Sequence, residues 1–105
     1  MSLDVYLEVT ACPFSWNITH NLSHMAEAAG LYGVLWRPEE NGIECARDLI
    51  KPLSEGLRLL RSDEERFKKM NPVNAWGSYE GLVNFVARYL DACVLYPDSK
   101  PRASR

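Results

Sequence analysis

NITHNLSHMAEAAGLYGVLWRPEE, residues 17–40, joins a helical pattern to a run of polar, aromatic and charged side chains, and the predicted fold is organised around it. Its apolar residues follow at steps of four, three, one and three, which is the one-faced pattern of an amphipathic helix. These residues are Ile18, Leu22, Met25, Ala26 and Ala29. Asn17 or Thr19 is expected to cap the start of this helix, and Gly30 suits the left-handed position that ends one.

A polar cluster lies on the other face of the predicted helix. His20, His24 and Glu27 point the same way over about two turns, and two imidazoles with a carboxylate are ligands that a divalent metal accepts. However, Asn21 stands where an HExxH motif has its glutamate. We therefore favour a solvated polar face over a metal site, and we predict no metal and no cofactor.

Length, charge and cysteine content limit the class of protein. The 105 residues predict a single domain over residues 1–105. Three cysteines without a CxxC pair, and no pattern of a signal peptide, lead us to expect a cytoplasmic protein. No apolar run approaches the roughly 20 residues of a membrane-spanning helix. The net charge of −2 disfavours non-specific binding to nucleic acid.

The first residues predict a half-buried strand, because apolar and polar side chains alternate through SLDVYLEV, residues 2–9. The segment TACPFSW, residues 10–16, is predicted to be a loop, since Pro13 cannot donate a ladder hydrogen bond. LYGVLWRPEENG, residues 31–42, is rich in turn formers but carries large apolar side chains. It is predicted to be a packed loop.

Three further helices are predicted. One runs from about Ile43 to Arg61 and contains Pro52, so we expect a kink near residues 48–52 or two abutting helices. Ser62 and Glu65 have the spacing of a capping box and predict a short helix over residues 63–70 that buries Phe67.

The last predicted helix begins after Ser78, which is expected to cap it, and Pro97 ends it. Its apolar residues repeat at three and four and make it the best core former. They are Leu82, Phe85, Val86, Tyr89, Leu90 and Cys93. The tail, residues 97–105, is expected either to be disordered or to pair with the first strand.

These elements predict a mainly α protein: a compact bundle of three to four helices with one N-terminal β-strand. A lone strand has unpaired edges, so we expect it to pair with the tail or with a second chain in a homodimer.

Three stretches resemble a family of small hypothetical proteins of phages and prophages. They are MSLDVYL at the start, NITHNLSHMAEAAGLYGVLWRPEENGI in the middle and NPVNAWGSYEGLVNFVARYLDAC near the end. The resemblance covers most of the chain and implies a phage or mobile-element context. It implies no activity, because none is established for that family, and no catalytic residue.

Amides, aromatic rings and one guanidinium are the candidate ligand-binding groups. Rings stack on bases, arginine binds phosphate, and amides pair with polar edges, so this set suits a polar, phosphorylated or nucleotide-like ligand. The set consists of Asn17, His20, Asn21, Trp36, Arg37, Asn74, Trp76 and Tyr79. The alternative is that the rings cover helix ends and the asparagines satisfy loop backbone.

Three functions remain open. The first is a small non-enzymatic phage accessory protein that binds such a ligand and sequesters a signal or metabolite of the host. The second is a protein-interaction module or an inhibitor of a host protein. The third is an enzyme that uses His20 as acid or base, which we place last because no orienting partner is apparent in the sequence.

Overall fold

The computed structural model describes residues 2–8, 14–71 and 77–104, and it shows a mainly helical chain with a small sheet. The elements follow in the order β1 Ser2–Glu8, β2 Phe14–Thr19, α1 Ser23–Ala28, α2 Tyr32–Trp36, α3 Arg47–Ser62, α4 Glu64–Lys68, α5 Tyr79–Leu95 and β3 Lys100–Ser104. Short 3₁₀ turns cover His20–Leu22 and Pro38–Glu40. The predicted class is confirmed. No helix in the described ranges is long and apolar enough to cross a membrane.

β1 is the middle strand of a three-stranded antiparallel sheet with the order β2-β1-β3. Leu3, Val5 and Leu7 are at most 1% exposed while Asp4 faces solvent, so the predicted alternation is confirmed. The tail pairs with the first strand, which confirms that alternative over a disordered tail. Pairing of β1 itself across a dimer is wrong, because β2 and β3 occupy both of its edges.

β2 corrects the prediction of a loop at residues 10–16 followed directly by a helix. Phe14 to Thr19 pair with β1, with Ile18 opposite Leu3, so the predicted helix start at Asn17 and Ile18 lies in a strand. Residues 10–13 lie outside the described ranges. Thr19 keeps an extended backbone, and its side chain accepts a hydrogen bond from the Asn21 N–H at 3.3 Å. Thr19 is therefore the predicted cap, but of a 3₁₀ turn that follows a strand.

Gly30 ends α1, as predicted, with a φ of 75°. The Leu31 N–H donates to the Ala26 carbonyl at 2.8 Å and the Gly30 N–H donates to the Glu27 carbonyl at 3.0 Å, which is the Schellman arrangement. The chain then enters α2 at Tyr32. The packed loop predicted for residues 31–42 is therefore wrong in its secondary structure, since α2 and a 3₁₀ turn occupy most of it.

α3 begins at Arg47, four residues after the predicted start at Ile43. The Asp48 carboxylate accepts hydrogen bonds from the backbone N–H groups of Glu44 and Cys45 at 3.0 and 3.2 Å, and these bonds hold the pKa of Asp48 below its usual value. The next two N–H groups donate to carbonyls of the chain after α5, at residues 97 and 99. Because these donors are satisfied outside a helix, the helix does not extend further back.

α3 continues through Pro52, so the alternative of two abutting helices is wrong. The predicted capping box is also wrong, because the Ser62 hydroxyl donates to the Leu59 carbonyl at 3.0 Å instead of accepting from the next helix. The short helix itself exists as α4. Its Phe67 is fully buried, as predicted.

α5 is the principal core helix and packs along α3. The Ser78 hydroxyl accepts a hydrogen bond from the Gly81 N–H at 3.1 Å, so the predicted cap is confirmed. Most of the predicted apolar positions are buried, whereas Leu90 is only partly buried at the edge of the core. The buried positions are Leu82, Phe85, Val86, Tyr89 and Cys93.

Ser78→Ala should lower the free energy of unfolding by about 1 kcal/mol, because the Gly81 N–H in the first turn of α5 loses its side-chain acceptor. The measurement is equilibrium unfolding in urea. Ser62→Ala is the matched control, since Ser62 caps no helix, and it should change stability by less than about 0.5 kcal/mol. Equal losses from both substitutions would contradict the assignment of the two serines.

Gly56→Ala should destabilise the protein although alanine favours helices. A Cβ at Gly56 would lie 2.5 Å from Leu31 Cγ, and the Leu31 side chain is fully buried. The overlap should cost about 1–3 kcal/mol, more than the roughly 1 kcal/mol that alanine gains in a helix. Thermal unfolding measures this, with Glu55→Ala at the neighbouring exposed position as the control. A rise in melting temperature for Gly56→Ala would show that Leu31 can move aside.

Candidate functional site

Three residues of the predicted ligand set, His20, Trp36 and Arg37, lie around one concavity of about 200 Å³. His20 belongs to the 3₁₀ turn after β2, Trp36 is the last residue of α2, and Arg37 follows it. The turn at Gly30 folds α2 back against α1 and so brings the two halves together. Ser23 and Tyr32 complete the lining.

The rings in this concavity form an ordered stack. Tyr32 and Trp36 lie one turn apart on α2 and are nearly parallel, with centroids 5.3 Å apart and an angle of 11°. His20 meets Trp36 edge to face, at 6.0 Å and 61°. Trp36 is only 3% exposed, whereas Tyr32 is half-buried. A ligand would therefore contact Tyr32, and Trp36 would hold the tyrosine ring in place from behind.

Arg37 supplies the positive charge at this place. Its guanidinium is exposed and forms an ion pair with Glu40, with 2.9 Å between Nη1 and Oε2. Its hydrogen bond to Glu40, and to a lesser extent its hydrogen bond to Tyr32, raise the pKa of Arg37, so the guanidinium remains charged. The Asn41 side-chain amide donates to the Arg37 carbonyl at 2.8 Å. Because exposed ion pairs are weak, an anionic ligand can replace Glu40 at little cost.

A second concavity of about 510 Å³ adjoins the first and shares Ser23 and Tyr32 with it. His24 and Glu27 of α1 line this larger space, together with Gly30 and Gly33. Tyr32 thus stands between a region with a cation and a region with a carboxylate. A guanidinium that Glu40 pairs thus lines the smaller concavity, and the Glu27 carboxylate lines the larger one.

The three metal-ligand candidates do not converge. His20 lines the smaller concavity, while His24 and Glu27 line the larger one. His20 lies in a 3₁₀ turn and not on α1, so the assumed helical spacing from His20 to His24 does not apply. Within the described ranges, no three His, Cys, Asp or Glu side chains are placed to hold a metal ion.

His20 has an unusual environment. Its Nε2 is buried and has no hydrogen-bond partner among the described residues. An acid or base catalyst needs access to its substrate and a group that orients it. Because Nε2 is buried, access to a substrate and contact with an orienting group would each require the surrounding side chains to move.

The rest of the predicted set includes a residue that does not line the concavities and residues outside the described ranges. Asn21 is exposed and lines neither concavity, and Asn17 lies in β2 opposite Asp4. Asn74 and Trp76 lie outside the described ranges. Ser23 and Tyr32 line the concavity although they are not in the predicted set. Their spacing was a readable signal, because Ser23 follows His20 by three residues and Tyr32 precedes Trp36 by four.

Tyr79 supports the fold and does not line the concavities. It is 5% exposed, and its hydroxyl donates to the Leu60 carbonyl at 2.7 Å, joining the start of α5 to the end of α3. Its backbone N–H donates to the Asn71 side-chain oxygen at 2.7 Å. Both groups are therefore committed to internal contacts.

The cysteines in the described ranges are Cys45 and Cys93, and both are free thiols. Burial raises the pKa of the Cys93 thiol to about 12, so it stays protonated at neutral pH. A protonated buried thiol is a poor nucleophile, so Cys93 behaves as a core residue.

Comparison with models of protein families, with curated proteins and with solved structures finds no match to this chain.

Tyr79→Phe should lower the free energy of unfolding by about 1 kcal/mol, because the bond to the Leu60 carbonyl is lost while the ring remains. Unfolding in urea measures this loss. Tyr32→Phe is the control, since Tyr32 is half-buried at the surface, and it should leave stability within about 0.5 kcal/mol. If Tyr32→Phe proved the more damaging of the two, the division between fold and site would be wrong.

Proposed function

We propose that this protein binds a small anionic ligand with a flat ring, of the nucleotide class, across the two adjoining concavities. The observation that carries this proposal is the placement of the Arg37 guanidinium beside the Tyr32 ring in one concavity. A guanidinium binds phosphate through paired hydrogen bonds, and an aromatic face stacks on a base.

The size of the site supports a ligand larger than a simple anion. Binding sites for organic ligands commonly measure about 300–1,000 Å³, which is more than the smaller concavity alone offers. A mononucleotide would therefore extend across Tyr32 into the larger concavity. There His24 and Glu27 offer hydrogen-bonding groups for the polar edge of a base.

The charges favour one orientation of that ligand. The Glu27 carboxylate repels a phosphate, while Arg37 attracts it, so the phosphate belongs at the Arg37 end. In the phage setting that the sequence resemblance suggests, such a protein would sequester a nucleotide signal or metabolite of the host. This function requires binding alone and no catalytic group.

Arg37→Gln should weaken the binding of AMP or GMP by about tenfold, because the charge-assisted bonds to phosphate are lost. Isothermal titration calorimetry measures the dissociation constant. Arg47→Gln is the matched control: Arg47 is likewise exposed and paired with an acidic residue, Asp98, but lines neither concavity. It should leave the affinity unchanged.

Tyr32→Leu separates stacking from charge. It should weaken binding of the nucleotides but leave binding of inorganic pyrophosphate, which has no ring, close to that of the unmodified protein. If Arg37→Gln and Arg47→Gln reduced nucleotide binding equally, the proposed site would be contradicted. Absence of any binding to AMP, GMP or pyrophosphate at roughly 1 mM would contradict the ligand class.

A further inference from the structure

A groove runs along the surface between α3 and α5. The two helices are antiparallel, since Tyr79 at the start of α5 contacts Leu60 near the end of α3, and the Arg47 N–H at the start of α3 donates to the Pro97 carbonyl after α5. The groove encloses about 420 Å³. Its lining consists of Ser54, Leu57, Arg58, Arg61, Ser62 and Leu90.

An apolar stripe borders this groove on α5. Its residues follow at steps of four, three and four, so they form one row on the helix. They are Val83, Ala87, Leu90 and Val94. The first three are partly buried against the edge of the core, and Val94 is 58% exposed. Ile50 and Leu57 continue the apolar surface on α3, so the groove floor is apolar on both sides.

The margin of the groove on α3 is basic. Arg58 and Arg61 line the groove, and Lys51 lies two turns before Arg58 on the same side of the helix. Among the described residues, no carboxylate forms an ion pair with any of these three. Glu55 lies at the outer limit of this margin, which keeps a net positive charge.

The opposite margin, on α5, carries two acidic residues, and the exposed Arg88 lies at its outer limit. Glu80 and Asp91 are eleven residues apart, close to three full turns, and both are exposed on the outer side of the apolar stripe. Glu80 has a 3.8 Å contact with Lys68. Asp91 takes part in no ion pair within the described ranges.

We infer that this face binds a second copy of the chain. A two-fold axis parallel to the helices places the α3 of one copy over the α5 of the other. The Tyr79–Leu60 and Arg47–Pro97 contacts fix how α3 and α5 align along their common direction. At this alignment Lys51 lies at about the same height along the helix pair as Asp91, and Arg61 at about the same height as Glu80. The basic margin of each copy therefore faces the acidic margin of the other copy, so the dimer contains two equivalent sets of charge contacts.

The same rotation closes the two apolar grooves on each other and buries Leu90 and Val94 in a four-helix interface. A surface that carries both signs of charge on opposite sides of one apolar groove is complementary to itself. A purely acidic partner would match the α3 margin and be repelled by Glu80 and Asp91.

Sedimentation equilibrium of the full chain tests this inference. The unmodified protein should dimerise, and Leu90→Lys should raise the dissociation constant of the dimer at least about tenfold by placing a charge in the interface. Leu59→Lys is the matched control, because Leu59 is an exposed leucine on a different side of α3 that does not line the groove. It should leave the dimer unchanged, and circular dichroism should show that both variants are folded.

Charge reversal provides a test that leaves the core untouched. Lys51→Glu and Asp91→Lys should each weaken the dimer several-fold, and the double variant should recover it, because each reversed charge again meets its opposite. A protein that stays monomeric up to roughly 1 mM would overturn the inference. So would a dimer that Leu90→Lys leaves intact, which would point to an interface at the sheet edges.

Discussion

The pairing of the first strand with both the second and the last strand is the constraint on which the rest of the structure depends. β1 contributes three side chains that are almost completely buried, and its hydrogen bonds are shared between β2 and β3. To reach β1, the chain after α5 must turn back, and its carbonyls there accept the first N–H groups of α3. Sheet closure thus also fixes where α3 begins, and α3 in turn aligns α5.

Much of the helical fold could be predicted because its signals are local. The Ser78 cap, the buried Phe67 and the turn at Gly30 depend on residues within a few positions of one another. The second strand was missed although FSWNIT, residues 14–19, alternates apolar and polar side chains. Ile18 fits both this alternation and the helical stripe that follows. Only the pairing with β1, which is remote in sequence, decides between them.

The candidate site shows the same division between local and remote information. His20, Trp36 and Arg37 meet because one short turn links α1 to α2, and that turn can be recognised from sequence. Tyr79 belongs to the same predicted set, as a ring next to the start of the last helix. Its hydroxyl is instead committed to the Leu60 carbonyl, because α3 and α5 pack side by side over a separation that no local pattern reveals.

The ion pair between Arg37 and Glu40 bears on the proposed binding site more than on the stability of the fold. Both side chains are about half exposed, and such pairs contribute only about 0–1 kcal/mol to stability. The pair nevertheless keeps the long arginine side chain beside Tyr32. The side chain therefore loses less conformational entropy when a ligand binds. A phosphate carries more charge and more acceptor oxygens than a carboxylate, and it can accept paired hydrogen bonds from a guanidinium. In the proposed site, an incoming phosphate would therefore meet a cation already in position and would displace a weakly held partner, while Trp36 supports the adjacent ring.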